Sequence, residues 1–110
     1  MTALAPDFQV IDADTHYTEP YDLWTSRAPK DLADRVLHVE KVGGVDTWFA
    51  DGNEIGFARG GGVIAKDESK IPFLESSDKG LDWVHDGAFD PTARLKMMDA
   101  WGIHAQVLFP

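Results

Sequence analysis

Residues 10–20 have the sequence VIDADTHYTEP, in which an apolar, β-prone run becomes acidic and then meets a proline. Residues 8–14 are predicted to form a buried strand that leads into a polar end. Side chains alternate along a strand, so Asp12, Asp14 and His16 are predicted to lie on the same side of it. Placing two carboxylates and an imidazole on one buried face is costly unless something compensates their desolvation.

A divalent cation would compensate this cost, because carboxylate oxygen and imidazole nitrogen are good ligands for it. Asp14 and His16 stand two positions apart and can reach one ion without distorting the strand. Glu19 could be a further ligand or could orient His16. Asp12 would support the metal ligands or have a structural role. A polar strand end followed by a turn gives the same pattern, and the motif alone leaves both interpretations open.

A helix and a second strand are predicted near the C-terminus. Asp90 suits the N-cap, Pro91 the first helical position and Gly102 the C-terminal cap. Between these caps apolar residues recur at helical spacing and predict one apolar stripe: Leu95, Met98 and Trp101. A strand over residues 103–109 follows at once. The order of strand, helix and strand predicts a βαβ arrangement with parallel strands.

The sequence between the two strands predicts smaller elements. Short helical stretches are expected at residues 21–26 and 31–35. Residues 36–58 are predicted to form a small antiparallel β-meander, because two glycine-containing turns separate β-prone runs. Residues 63–87 are predicted to be an irregular loop, since proline, serine and glycine leave little room for a long element. A loop of this length is uncommon in a compact domain and is expected to be functional or mobile.

Three separated stretches share a pattern with a known family. They are residues 10–20, the Leu23-Trp24 pair that follows, and residues 89–103, where FDPTARL precedes Met98-Asp99 and Gly102-Ile103. These stretches resemble the amidohydrolase superfamily, and most of all the amidohydrolase-related branch that includes decarboxylases of the aminocarboxymuconate-semialdehyde type. The resemblance implies that residues 1–110 are a single N-terminal portion of a (β/α)₈ TIM barrel, incomplete, with the meander as an insertion.

The resemblance also implies a metal at the carboxyl ends of the barrel strands. By position, Asp14 and His16 are the first-strand ligands, with Glu19 beside them, and the cofactor is Zn²⁺ or Mn²⁺. Many superfamily members have two histidines there, so Asp14 departs from that pattern and favours a single ion. The complete enzyme would hydrolyse or decarboxylate a small carboxylated or amide substrate. The family's other ligands lie on later strands, so no catalytic residue is assigned and the chain is expected to be inactive alone.

Composition narrows the possible partners and compartments. The chain has 19 acidic and 10 basic residues, with a net charge of −9 and no basic patch, so neither nucleic acid nor membrane is an expected partner. The absence of cysteine excludes disulfides and thiolate ligands. No signal-peptide pattern and no apolar run of ~20 residues occur, so a soluble, cytoplasmic protein is expected.

Two other hypotheses remain open. The chain could be a stand-alone, non-catalytic α+β module that binds a partner, or weakly a metal, through its sheet edges. It could also self-associate or pair with a separately encoded, missing half of the barrel. A barrel portion would expose an apolar face and open strand edges, whereas an independent small domain would cover them. Structural roles are favoured for the remaining histidines His38, His85 and His104, although His85 in the irregular loop could reach over a site.

Overall fold

The computed structural model describes residues 7–58, 62–76 and 78–110. In this part of the chain the longer elements are β1 (Val10–His16), β2 (His38–Val42), β3 (Val45–Ala50), β4 (Asn53–Phe57), α1 (Pro91–Trp101) and β5 (Ile103–Phe109). Short 3₁₀ helices lie at Lys30–Leu32, Phe73–Ser76 and Asp86–Ala88. The protein is therefore a mixed α/β structure, as the sequence predicts. Of the helices in these ranges, none has the length and apolar character needed to cross a bilayer.

The strands form two separate sheets. β1 and β5 pair in parallel, which confirms the predicted orientation of the strands that flank α1. β2, β3 and β4 form an antiparallel sheet in that order, which is the predicted meander. Its hairpins turn at Gly43-Gly44 and Asp51-Gly52, where all four residues have positive φ angles between 51° and 82°. Two-residue turns of this conformation match the twist of paired strands, and glycine adopts it without strain.

Helix α1 begins and ends where its capping residues predict. The Asp90 carboxylate accepts hydrogen bonds from the backbone N–H groups of Thr92 and Ala93, at 2.8 and 3.2 Å. Gly102 follows the last turn in the left-handed conformation, with φ of 72°. These local interactions satisfy the free backbone groups at both ends of the helix.

The face of α1 that packs inward differs from the predicted apolar stripe. Leu95 of that stripe is 61% exposed, whereas its neighbour Arg94 is only 6% exposed. Arg94, Met97 and Trp101 line a cleft shared with β1 and β5, so these residues form the inward face. The prediction was wrong for Leu95, whereas Met98 and Trp101 are half-buried; sequence analysis misjudged this part of the face because a buried arginine counts as polar in a hydrophobic pattern.

Residues 62–76 and 78–87 contain no long element but are ordered by backbone pairing. Ala65 forms an isolated antiparallel bridge with Val84, and Ile64 forms another with Lys70. Ala65 and Val84 are buried, at 7% and 1% exposure. This segment therefore contributes to the core. Single bridges of this kind produce no alternating pattern that sequence analysis could detect.

The segment after β1 is joined to the meander by aromatic packing. Residues 21–26, predicted as a helix, instead form successive turns. The Tyr21 hydroxyl donates to the carbonyl of Ala58 at 3.1 Å, and its ring contacts Trp48 edge-on at 5.7 Å. Burial, together with the nearby Asp46 carboxylate, raises the pKa of Tyr21 to about 12. Both effects favour the neutral phenol in the folded protein.

We expect Asp90→Ala to lower the free energy of unfolding by about 1 kcal/mol, because two backbone N–H groups lose their acceptor. Urea denaturation measures this change. Asp99→Ala is the matched control, since Asp99 is exposed near the other end of the same helix. It should change stability by less than about 0.5 kcal/mol. Equal losses in the two variants would contradict a role for the cap.

The raised pKa of Tyr21 predicts a loss of stability at alkaline pH. The unfolded chain loses the phenolic proton near pH 10.0, before the folded protein does near pH 12. The contribution of the Tyr21 hydroxyl to the free energy of unfolding is therefore complete below pH 10 and decreases as the pH rises toward 12. In Tyr21→Phe we expect this part of the decline to disappear when urea unfolding is compared from pH 9 to pH 11. Tyr17→Phe retains Tyr21 and should retain the decline, so an unchanged slope in Tyr21→Phe would contradict the assignment.

Candidate functional site

The buried guanidinium of Arg94 connects α1 to the end of β1 and to the middle of β5. Its Nε donates to the Gln106 side-chain oxygen on β5 at 2.9 Å. Its Nη2 donates to the Thr15 hydroxyl and to the His16 carbonyl on β1, both at 2.9 Å. Its Nη1 donates to the carbonyl of Gly87 at 2.8 Å. These four hydrogen bonds from one planar group fix β1, β5 and the backbone at Gly87 relative to α1.

Burial lowers the pKa of Arg94, and the nearby Asp12 carboxylate opposes that shift. Arginine remains protonated in proteins, so the group keeps its charge. The charge is stabilised by its hydrogen-bond acceptors and by Asp12, as a buried cation requires. Arg94 is therefore a structural cation that holds the backbone at the end of β1.

Strand β1 contains an irregularity immediately before its end. Asp12 is paired with Gln106, and Thr15 is paired with Leu108. Between these two pairs, β1 advances by three residues (12 to 15) while β5 advances by only two (106 to 108). β1 therefore contains one extra residue, which is a β-bulge at residues 13–14. A bulge adds one residue to one strand and so reverses the alternation of side chains beyond it.

The bulge separates Asp12 from the other two residues of the predicted motif. Asp12 accepts a hydrogen bond from the Gln106 side chain at 3.3 Å, and Thr15 contacts Arg94, so both lie on the α1 side. Asp14 and His16, the neighbours of Thr15, are exposed, whereas Asp12 and Thr15 are half-buried. The bulge interrupts the simple alternation on which the prediction of one shared side was based, but Asp12, Asp14 and His16 all border the same cleft.

Asp14 and His16 lie together at the carboxyl end of β1. The Asp14 Oδ1 and His16 Nε2 atoms are 3.5 Å apart, and the side chains are 88% and 64% exposed. Two donors that each lie about 2.1 Å from a zinc ion at a tetrahedral angle are roughly 3.4 Å apart. The observed separation is close to that value. The pair therefore has the donor types and the spacing to bind one divalent ion from two directions.

Two clefts meet at His16. A cleft of about 340 Å³ is bordered by both Asp14 and His16, and its inner wall is formed by α1 and residues 62–64 and 84–88. A second cleft of about 300 Å³ is bordered by His16 and Glu19. Glu19 thus lies beside His16, in the cleft that Asp14 does not border. No group of three or more potential metal-binding residues is found among residues 7–58, 62–76 and 78–110, so Asp14, His16 and Glu19 do not form one ligand set there.

The segment after β1 is held by further contacts. The Tyr17 N–H donates to the Phe109 carbonyl at 2.9 Å, and the Tyr17 hydroxyl donates to the Phe89 carbonyl. The Thr18 N–H donates to the Ala88 carbonyl at 2.8 Å. Arg94 holds Thr15 and His16, and these further bonds hold Tyr17 and Thr18. The backbone is therefore fixed both before and after His16.

The other histidines have local structural contacts. His85 Nδ1 accepts a hydrogen bond from the Gly87 N–H at 3.0 Å, which caps the 3₁₀ helix that follows. Its side chain also borders the cleft at Asp14 and His16, as the sequence suggested for this loop. His38 Nδ1 lies 2.8 Å from the Val36 carbonyl, and His104 is exposed on β5. Sequence reasoning missed Arg94, because nothing in the sequence distinguishes a buried arginine from an exposed one.

Comparisons with protein-family models and with curated proteins give no match for this chain. The interpretation of the site therefore depends on its own residues and geometry.

We expect Arg94→Lys to lower the free energy of unfolding by roughly 3 kcal/mol, because a lysine ammonium cannot reach four acceptors and leaves buried polar groups unpaired. Lys96→Ala, at an exposed position of the same helix, is the control and should change stability by less than about 0.5 kcal/mol. Urea denaturation compares the two variants. Similar effects would show that the guanidinium contacts do not stabilise the fold.

Proposed function

We propose that this chain supplies the first strands of a metal-dependent, amidohydrolase-like hydrolase or decarboxylase, with Asp14 and His16 as first-strand ligands of Zn²⁺ or Mn²⁺. The substrate is a small carboxylated or amide compound. The observation that carries the proposal is the 3.5 Å separation of Asp14 Oδ1 and His16 Nε2 at the carboxyl end of a parallel strand. In (β/α)₈ barrels the active site is built at that end of the strands.

The exposed side of the parallel pair supports a larger barrel. β1 and β5 pair only with each other within the described ranges, so each has an open edge. Ile11, Val107 and Phe109 are 63%, 47% and 45% exposed. Strand edges and apolar faces of this kind are normally covered in a folded protein. Further strands beside β1 and β5 would cover both and would bring additional ligands toward His16.

The residues around the site have distinct roles under this proposal. Asp14 and His16 would hold the ion, and Arg94 would position His16 through its backbone carbonyl. Glu19, in the adjacent cleft, would orient His16 or bind the ion after a local rearrangement. The bound ion would polarise a substrate carbonyl or activate a water molecule.

A second candidate function is a non-catalytic interaction module. The same open edges and exposed apolar side chains would bind a partner chain, or weakly a metal, without a specific site at Asp14 and His16. This alternative predicts that metal binding does not depend on His16.

We expect the chain to bind Zn²⁺ through Asp14 and His16, measured by isothermal titration with Zn²⁺ and separately with Mn²⁺. His16→Ala should weaken Zn²⁺ binding by more than about tenfold, because even the loss of a residue that only supports a ligand costs that much. Asp14→Asn should weaken it as well.

His104→Ala is the matched control, since His104 is an exposed histidine on the neighbouring strand β5. It should bind Zn²⁺ as the unaltered chain does. If His16→Ala and His104→Ala behave alike, the proposed site is wrong and the interaction module is favoured.

A further inference from the structure

The backbone around His16 is held by three consecutive carbonyl groups, those of residues 87–89. The first accepts a hydrogen bond from Arg94, whose guanidinium also donates to the His16 carbonyl. The second accepts from the Thr18 N–H at 2.8 Å, and the third accepts from the Tyr17 hydroxyl. The position of His16 therefore depends on the conformation of residues 87–89.

The side chain of His85 caps the turn that contains these carbonyls. His85 is the N-cap of the 3₁₀ helix Asp86–Ala88, and its Nδ1 accepts from the Gly87 N–H at 3.0 Å. A helix of one turn has few internal hydrogen bonds, so the cap contributes a large share of its stability. His85 itself is anchored, because its N–H donates to the Ile64 carbonyl at 2.9 Å and its neighbour Val84 is buried.

The contact between His85 and Gly87 leaves no space for a larger residue. Gly87 is buried, and a Cβ atom added there would lie 3.1 Å from His85 Nδ1 and 3.1 Å from Met97 Sδ. Glycine thus allows the peptide N–H to approach the imidazole in the space between the loop and α1. Any side chain at this position would displace the ring of His85 or the side chain of Met97.

The Gly87 hydrogen bond also determines which atom of His85 is protonated. A backbone N–H can only donate, so Nδ1 is unprotonated and the ring proton is on Nε2, which lies 4.0 Å from the Glu68 carboxylate. Nδ1 is therefore occupied and not available to an ion. His85 borders the same cleft as Asp14 and His16, but in the part of the chain that the structure describes these residues form no group of three metal ligands. His85 is thus placed to support the ligands and not to join them.

We propose that His85 is a positioning residue of the metal site. Its cap fixes residues 86–88, and the carbonyls of residues 87–89 in turn hold the backbone of His16 in the orientation that binds the ion. The inference rests on the proposed function, because an ion at Asp14 and His16 is what this orientation serves. The loop that carries His85 then shapes the metal site without supplying a ligand.

The test compares His85→Ala, which removes the acceptor, with His85→Asn, which restores one. Asparagine is a preferred N-cap, and its side-chain oxygen can accept from an N–H two residues later. Gly87→Ala is a second test variant, because its methyl group would displace the imidazole. Zn²⁺ affinity is measured by isothermal titration, and the exchange rate of the Thr18 N–H is measured by NMR.

His38→Ala is the matched control. The His38 side chain is 17% exposed, against 18% for His85, and its Nδ1 also has a local backbone contact. It borders neither of the two clefts that meet at His16. The control therefore removes a similarly shielded imidazole that has no connection to the metal site.

We expect His85→Ala and Gly87→Ala to bind Zn²⁺ about tenfold more weakly, since residues that fix a ligand contribute at least that much to affinity. The Thr18 N–H should exchange about tenfold faster in both variants, because the uncapped turn opens more often. His85→Asn and His38→Ala should retain both values.

Unchanged Zn²⁺ affinity in His85→Ala, in a chain that loses Zn²⁺ binding with His16→Ala, would overturn the positioning role and leave the proposed function standing. Weakened Zn²⁺ binding in His85→Asn, with Thr18 exchange as in the unaltered chain, would also overturn it, because His85 would then be a ligand itself. If the unaltered chain binds no Zn²⁺, the proposed function is wrong, and the Thr18 exchange rates alone decide whether the cap holds the end of β1.

Discussion

The buried guanidinium of Arg94 is the interaction on which the arrangement of the parallel strands depends. It joins α1 to β1 through Thr15 and His16, and to β5 through Gln106, in a position that is only 6% exposed. Only a few apolar side chains of the described ranges are buried: Ala58, Ala65 and Val84. Because this apolar core is so small, the arrangement of the parallel strands depends strongly on the directional hydrogen bonds that the Arg94 cation donates. The planar fork of arginine suits this task in a way that lysine does not.

The residues on either side of the bulge in β1 have different roles. Asp12 faces α1, where it contacts Gln106 and lies near the charge of Arg94. Asp14 and His16 are exposed, and their side chains lie 3.5 Å apart at the end of the strand. The irregularity therefore allows one short strand to provide both a buried polar network and an exposed pair of potential ligands.

The features that sequence analysis predicted correctly depend on local chemistry. The caps of α1, the hairpin at Gly43-Gly44 and the polar residues at the end of β1 each follow from the conformational preferences of a few adjacent residues. The features it missed depend on distant partners. The burial of Arg94 requires acceptors from residues 7 to 79 positions away, and the bulge is visible only in the pairing with β5. The spacing of Asp14 and His16 correctly suggested that they lie together, and Asp12 borders the same cleft while it accepts hydrogen bonds from the Asp14 N–H group and from Gln106.

The most direct test of this account is the hydrogen-exchange rate of the arginine Nε–H groups, measured by ¹⁵N NMR. Arg94 should exchange at least about a hundredfold more slowly than Arg35, because its Nε–H is buried and opening must break several hydrogen bonds. Arg35 is a suitable reference, since its Nε also donates to a side chain, Asp51, but at an exposed position. Exchange of Arg94 at the rate of Arg35 would contradict the central claim that the guanidinium fixes the end of β1 relative to α1 and β5.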